Sequence, residues 1–187
     1  EAYLGDTPET FTYEGKEYTP QSFAASLDLN LNDYVELTSF QMFPFYEEVE
    51  LTIPDNWMHA RYYNLPIDEL MEVMNNALKN GYSVCWDGDV SHNGFSHPNG
   101  LAILPTNNPE EMINAEIDKW TTLSAKDRER KMQSFESPVP EMRVDDNKRQ
   151  FTFNNRQTTD DHLMHITGML KDQNGTIYYK TKNSWGE

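Results

Sequence analysis

The sequence predicts an α+β fold, because helical patterns come first along the chain and antiparallel strands come last. Two patterns carry this prediction: an amphipathic helix within residues 65–81, and a strand–turn–strand pattern from His162 to Trp185. The chain has 187 residues, 37% hydrophobic and 12% aromatic, which is enough for one globular domain with its own core. We expect residues 1–60 to form an irregular, aromatic lead-in. Residues 61–187 should form a helix and an antiparallel β-domain, with 91–148 as a helical insertion.

Helices are predicted where capping residues and apolar spacing agree. Thr19 as N-cap and Pro20 as the first helical residue predict a short helix in "TPQSFAASLDL". The stretch "LPIDELMEVMNNALKNG" predicts the clearest helix, because acids open it, Gly81 ends it and apolar residues recur at three- and four-residue spacing. Two more helices are predicted, one from Pro109 in "NPEEMINAEIDKW" and one across "SAKDRERKMQSF".

Strands are predicted by alternating and aromatic runs between turn residues. Residues 30–57 predict short strands in irregular loop, and "YSVCWDGDV" predicts a strand that leaves the core at Asp87-Gly88. A proline-broken connector, "ESPVPEMRVDDNKRQ", should lead into a strand that starts at Arg149. A strand from His162 to Leu170, a turn at "DQNG" and a strand through "TIYYKTKNSW" should follow. The "NGT" tripeptide within this stretch fits a hairpin turn better than a glycosylation acceptor.

The charge of the chain excludes several function classes. The formal net charge is −16, from 31 acidic and 15 basic residues, and such a surface repels nucleic acid. The basic stretch Lys126–Lys131 is interrupted by Asp127 and Glu129, so we expect no nucleic-acid partner. No run of about 18 apolar residues occurs, so no membrane span is predicted either.

Cys85 is the single cysteine, so neither an internal disulfide nor a thiolate metal cluster can form within the chain. Because Cys85 lies inside a predicted strand, we expect it to be a buried structural thiol. The first residues lack the basic start and apolar core of a signal peptide, and both a cytoplasmic and an exported location fit the sequence.

The last thirty residues hold the candidate catalytic side chains. His162 and Asn183 lie on two predicted strands joined by the "KDQNG" turn, so antiparallel pairing can bring them side by side. The amide oxygen would then accept from one ring nitrogen and aim the other outward, as the base and orienter of a catalytic triad do. Trp185 would shield that bond from water. His165 should point to the opposite face of the strand, and a hairpin with two incidental polar residues is the alternative.

The stretch "DDHLMHITGMLKDQNGTIYYKTKNSWGE" resembles the histidine-to-asparagine segment of papain-like cysteine peptidases, and "KNSWG" resembles their asparagine signature. More narrowly, "TTDDH" with "KDQNG" is similar to the bleomycin hydrolase or aminopeptidase C branch. The stretch "YYNLPIDELMEVMNNALKNGYSVCWDGDVS" is similar to the helix-then-strand segment of that branch. The strong matches cover Tyr62–Val90 and Arg149–Glu187, less than half of the chain.

This resemblance implies a papain-like fold, mainly its β-rich half-barrel domain with flanking helices. It makes His162 the general base and acid, Asn183 its orienter and Trp185 the screen over their hydrogen bond. Asp160 and Asp161 match the family's "DDH" run but receive no chemical role. A peptide substrate is implied, with no cofactor and no metal. The branch also implies aminopeptidase action and a homo-oligomer.

The family's nucleophile is absent from the pattern. No "Q…CG-CW" motif occurs, Cys85 falls on a strand instead, and no glutamine has the context of an oxyanion-hole donor. The resemblance therefore implies that residues 1–187 are the C-terminal, incomplete part of a peptidase domain, whose N-terminal part carries the cysteine. A truncated chain, a processed fragment and an inactive relative all fit, and exo- and endopeptidase action both stay open.

Two other functions compete with this interpretation. A catalytically inactive binding or interaction module would use the aromatic residues 30–63 as a docking surface. A metal site at His92 and His97 is disfavoured, because "HNGFSH" lacks a regular ligand spacing.

Overall fold

A computed structural model describes residues 5–111 and 117–185 of the chain. The chain packs as two units, one ending at Glu36 and one beginning at Leu37. The first unit contains strands β1 (Phe11–Tyr13) and β2 (Lys16–Tyr18), paired antiparallel, then helix α1 (Pro20–Ser26) and a 3-10 turn, Leu31–Asp33. Thr19 caps α1 through its side chain, which confirms the predicted start of this helix. The predicted place of residues 1–187 in a larger peptidase domain stays a prediction.

The second unit carries the remaining described elements. Its strands are β3 (Leu37–Thr38), β4 (Glu48–Glu50), β5 (Arg61–Asn64), β6 (Val84–Gly88), β7 (Phe95–Ser96), β8 (Leu101–Ala102), β9 (His162–Lys171) and β10 (Ile177–Lys182). Its helices are α2 (Ile67–Lys79), α3 (Ile117–Thr121), α4 (Ala125–Ser134) and α5 (Asp146–Asn154), with 3-10 turns at His97–Asn99 and Pro109–Glu111. One sheet has the order β3-β5-β4, and the antiparallel sheet β10-β9-β6 is called the site sheet below. This mixture agrees with the predicted α+β class.

Helix α2 is confirmed, and its first turn is capped from far along the chain. Pro66 at its N-cap makes no side-chain hydrogen bond, and the Ile67 N–H instead donates to Asp146 Oδ1 at 2.8 Å. Gly81 follows the helix with φ of +85°, a left-handed conformation that glycine adopts without strain. Further along the helix, the Tyr179 hydroxyl of β10 donates to Asn75 Oδ1 at 2.8 Å, which ties α2 to the site sheet.

The strand predicted from Arg149 is wrong, because these residues form helix α5. Asp145 is its N-cap and accepts the Lys148 N–H at 2.8 Å. Gln150 is buried and accepts the Met42 N–H at 2.9 Å, a contact between residues 108 positions apart. These long-range contacts outweigh the strand preference of the β-branched and aromatic residues 151–153.

The other predictions have mixed outcomes. The helix across "SAKDRERKMQSF" is confirmed as α4, with Ser124 as its N-cap. The helix predicted from Pro109 begins as a 3-10 turn and ends as α3, and residues 112–116 between them lie outside the described residues. The final hairpin is confirmed, and Asp172 closes its turn by accepting the N–H groups of Asn174 and Thr176 at 2.9 and 2.8 Å. Among the described helices, none is long and apolar enough to cross a membrane.

A buried asparagine organises the packing around the β3-β5-β4 sheet. Asn64 is fully buried. Its Oδ1 accepts the Phe40 N–H at 2.8 Å, and its Nδ2 donates to the carbonyl oxygens of Phe40 and Pro44 at 2.9 and 3.0 Å. Phe40 in turn packs on Phe153 of α5, with ring centroids 4.4 Å apart. A polar side chain thus fixes the loop that carries part of the apolar core.

We expect Asn64→Ala to lower the free energy of unfolding by at least about 2 kcal/mol, because it leaves buried N–H and C=O groups without partners. Urea unfolding followed by circular dichroism measures the change. The matched control is Asn155→Ala on the exposed end of α5, which should change the free energy by less than about 0.5 kcal/mol. Equal effects from both substitutions would contradict the role given to Asn64.

Candidate active site

The site sheet brings His162 and Asn183 to one edge. His162 opens β9 and pairs in register with Gly88, the last residue of β6. Asn183 directly follows the end of β10. Met164 and Ile166, which share the face of His162, are buried, so His162 lies at the margin of the packed face and is itself half-buried.

A one-residue bulge in β9 decides which face Asn183 occupies. Lys180 pairs with Gly168 but Thr181 pairs with Ile166, so Thr167 is extra in β9. The shifted register, continued by one residue, sets Asn183 opposite Met164, on the face that carries His162. Without the bulge, Asn183 would lie opposite His165 on the other face. The bulge is therefore a condition for the His162–Asn183 contact.

The contact between the two side chains is a hydrogen bond of 2.8 Å from His162 Nε2 to Asn183 Oδ1. The Ser184 backbone N–H also donates to this Oδ1, at 2.7 Å. A backbone N–H only donates, so the shared amide atom is the acceptor and His162 Nε2 must carry the proton. In the neutral ring, Nδ1 is then the unprotonated nitrogen that is able to act as a base.

The Trp185 ring lies against the His162 ring beside this hydrogen bond. Its ring centroid lies 4.6 Å from that of His162, with 36° between the ring planes. Phe95 and His97 contact the same indole edge to face, at 5.9 and 5.3 Å between centroids. Neither neighbour was predicted from the sequence, since both lie in a turn-rich stretch far from the hairpin along the chain. Trp185 keeps 45% of its surface exposed, so one side of the aromatic group stays open to solvent.

Cys85 was predicted to be buried, and this is wrong: its side chain is exposed. Cys85 pairs in register with His165, whereas His162 pairs with Gly88. Since the faces of a strand alternate, Cys85 and His165 share one face of the site sheet and His162 lies on the other. Cys85 is thus not placed to meet His162, and His165 is separated from His162 as predicted.

Gly88 is required by close packing beside the site. A Cβ at this position would lie 2.3 Å from Cζ2 of Trp86. The Trp86 indole therefore passes directly over Gly88, on the face of the sheet that also carries His162. Any larger residue at position 88 would displace this indole next to the candidate base.

Acidic side chains surround this edge. Burial raises the pKa of Asp87, and the negative charges of Asp55 and Asp161 raise it further, against the attraction of His162. Burial likewise raises the pKa of Asp160.

The two histidines considered as metal ligands contact different residues. His92 Nε2 lies 3.0 Å from the Thr158 hydroxyl oxygen, whereas the His97 ring packs on Trp185.

Comparison with solved structures finds this fold in PepW from Lactobacillus rhamnosis HN001, with a TM-score of 0.62 and 23% sequence identity. The match covers 100% of this chain and 39% of PepW, so the chain spans well under half of that protein's length. The sequence matches no protein-family model and no curated protein. At this identity the likeness shows a shared fold, and the roles of His162, Asn183 and Trp185 stay predictions.

We expect nitrogen-15 NMR of histidine-labelled protein, above the pH at which the ring loses its charge, to show His162 with its proton on Nε2. Asn183→Ala removes the acceptor and should return the ring to a mixture of both tautomers. Ser184→Ala is the matched control, because it keeps the backbone N–H and the Asn183 amide. A proton on Nδ1 in the unsubstituted protein would contradict the hydrogen-bond assignment.

Proposed function

We propose that this chain supplies the histidine and asparagine half of a papain-like cysteine peptidase of the bleomycin hydrolase or aminopeptidase C type. The observation that carries the proposal is the hydrogen bond from His162 Nε2 to Asn183 Oδ1, which leaves Nδ1 as the free base. The fold shared with PepW is compatible with the proposal. The resemblance of "DDHLMHITGMLKDQNGTIYYKTKNSWGE" to the histidine-to-asparagine segment of papain-like peptidases supports these roles for the same two residues.

In this proposal His162 transfers one proton in each of the two halves of peptide hydrolysis. Nδ1 takes the proton of a cysteine thiol, and the thiolate attacks the peptide carbonyl carbon. The imidazolium then gives that proton to the leaving amine as the carbon–nitrogen bond breaks, which leaves a thioester. Water attacks the thioester while Nδ1 takes its proton, and the thiol departs with that proton restored.

Asn183 and Trp185 act through His162 in this scheme. The Asn183 oxygen holds the ring in the tautomer whose Nδ1 is free, and it continues to accept from Nε2 when the ring is charged. The Trp185 indole lies against the ring and limits the access of water to this bond. Neither side chain changes its protonation state during the reaction.

The nucleophile must come from outside these 187 residues, since Cys85 lies on the opposite face of the site sheet from His162. We propose that the N-terminal part of the same peptidase supplies it, from a helix start where a thiolate is stabilised. We further propose that the protein acts as an aminopeptidase on peptide substrates and forms a homo-oligomer. Both proposals rest on the resemblance to this branch.

An inactive interaction module is the second candidate, and exposed apolar side chains favour it. Trp57 and Met58 keep 76% and 72% of their surface exposed, within the aromatic stretch weighed as a docking surface. In the first unit, Leu31 and Val35 are also largely exposed. Large exposed apolar side chains are common at protein interfaces, but a peptidase half that lacks its partner would expose them as well.

The full gene product is expected to hydrolyse aminoacyl and peptidyl fluorogenic amides, whereas the chain of 187 residues alone should not. In the full product, His162→Ala should lower the rate by about 10²–10⁴-fold because the general base is lost. Asn183→Ala should lower the rate less. The controls are His165→Ala on the same strand and Cys85→Ser, and both should leave the rate unchanged.

Two results would contradict the proposal. One is hydrolysis by the isolated chain that persists in His162→Ala. The other is a full gene product without a reactive cysteine and without hydrolysis, which would favour the interaction module.

A further inference from the structure

Two segments that flank the candidate base are joined by a network of polar contacts. Residues 88–92 follow β6, and residues 158–161 precede β9. Asp161 donates its N–H to the Gly88 carbonyl oxygen at 3.3 Å and accepts the Val90 N–H on Oδ1 at 3.1 Å. These two contacts extend the pairing of β6 and β9 beyond its last regular pair, Gly88 with His162.

Asp89 is the centre of this network. Its side chain is only 2% exposed. Oδ1 accepts the Ser91 N–H at 2.7 Å, and Oδ2 accepts the Thr159 N–H at 2.7 Å. The His92 ring approaches Oδ2 at 3.5 Å. Both carboxylate oxygens are thus used, one within its own loop and one across to the segment that leads into His162.

The charge of Asp89 is favoured where it lies. Burial by itself raises the pKa of this carboxyl, but the hydrogen bonds from Ser91 and Thr159, together with the nearby His92 ring, outweigh it and hold the pKa below its ordinary value. A buried, ionised carboxylate that accepts two backbone N–H groups makes strong hydrogen bonds. Asp89 therefore restrains both its own loop, through Ser91, and the segment before β9, through Thr159.

His92 adds a second link between the same two segments. Its Nε2 lies 3.0 Å from the Thr158 hydroxyl oxygen, and its ring is about one-third exposed. Residues 158, 159 and 161 are therefore each bonded to the 88–92 segment, and His162 is the next residue along the chain. Movement of either segment would shift the backbone of the candidate base.

We propose that Asp89 is a positioning residue for His162. By holding the Thr159 N–H, Asp89 fixes the entry of the chain into β9 and so keeps the His162 ring in reach of Asn183. The geometric effect on His162 needs only the hydrogen bonds described, whereas its effect on catalysis rests on the proposed peptidase function.

Asp89→Asn is the sharpest test, because the amide has nearly the same shape but only one acceptor oxygen. One of the Ser91 and Thr159 N–H groups must then face an NH₂ group, which cannot accept. We expect the hydrogen-bonded His162 Nε2 proton, observed by NMR, to exchange rapidly with water and disappear. The control is Asn64→Ala, which destabilises the same unit from the other sheet and should leave this signal in place.

Loss of the signal in Asp89→Asn but not in Asn64→Ala supports the proposal. Loss in both variants, or retention in both, overturns it. If Asp89→Asn does not fold, Asp89→Glu replaces it, because the longer side chain keeps the charge but displaces both oxygens from the Ser91 and Thr159 N–H groups. An unchanged exchange rate of the His162 Nε2 proton in that variant would overturn the proposal. In the full gene product, Asp89→Asn should lower kcat with KM little changed. Absent hydrolysis in the unsubstituted product would refute the peptidase function, while the NMR comparison would still decide the role of Asp89.

Discussion

The hydrogen bond between His162 and Asn183 depends on a single extra residue in β9. The bulge at Thr167 shifts the register of the hairpin by one, and one residue of shift exchanges the two faces of a strand. The distance of 2.8 Å between Nε2 and Oδ1 is therefore a product of sheet geometry rather than of proximity in sequence. The second donor to Asn183, the Ser184 N–H, then fixes which ring nitrogen carries the proton.

Polar side chains link the elements around this site over long distances in the chain. Asp146 of α5 caps α2, Asn64 holds the loop at Phe40, and Asp89 joins the loop after β6 to the entry of β9. Such contacts suit a chain with a mean hydropathy of −0.79, in which buried apolar residues are supplemented by satisfied polar ones. The face of the site sheet that carries Cys85 and His165 is less well covered, since Leu163 on that face is 63% exposed.

The sequence predicted what local signals determine. The period of α2, the cap of α1 and the turn at Asp172 each rest on residues within a few positions of one another, and each was confirmed. Helix α5 was missed because its stabilising contacts reach residues such as Met42, more than a hundred positions away. The burial of Cys85 was predicted wrongly because β6 is covered on one face only. The sequence of such a short strand does not show which face is covered.

The candidate site shows the same division. The hairpin and the family-like "KNSWG" motif were enough to pair His162 with Asn183, and Trp185 lies where that pairing places it. The bulge had one signal, Gly168 within a strand, which is typical of an irregular position. Asp89, Phe95 and His97 had none, because only the folded chain brings residues 89–97 to the ends of β9 and β10.

We propose that His162 Nδ1 serves a cysteine thiol carried elsewhere in the protein, and the ultraviolet absorbance of thiolate in the full gene product, followed as a function of pH, tests this. One thiol should ionise well below the ordinary value of about 8.5, and His162→Ala should return its pKa towards that value. Ionisation of every thiol near the ordinary value, unchanged by His162→Ala, would show that His162 serves no thiol.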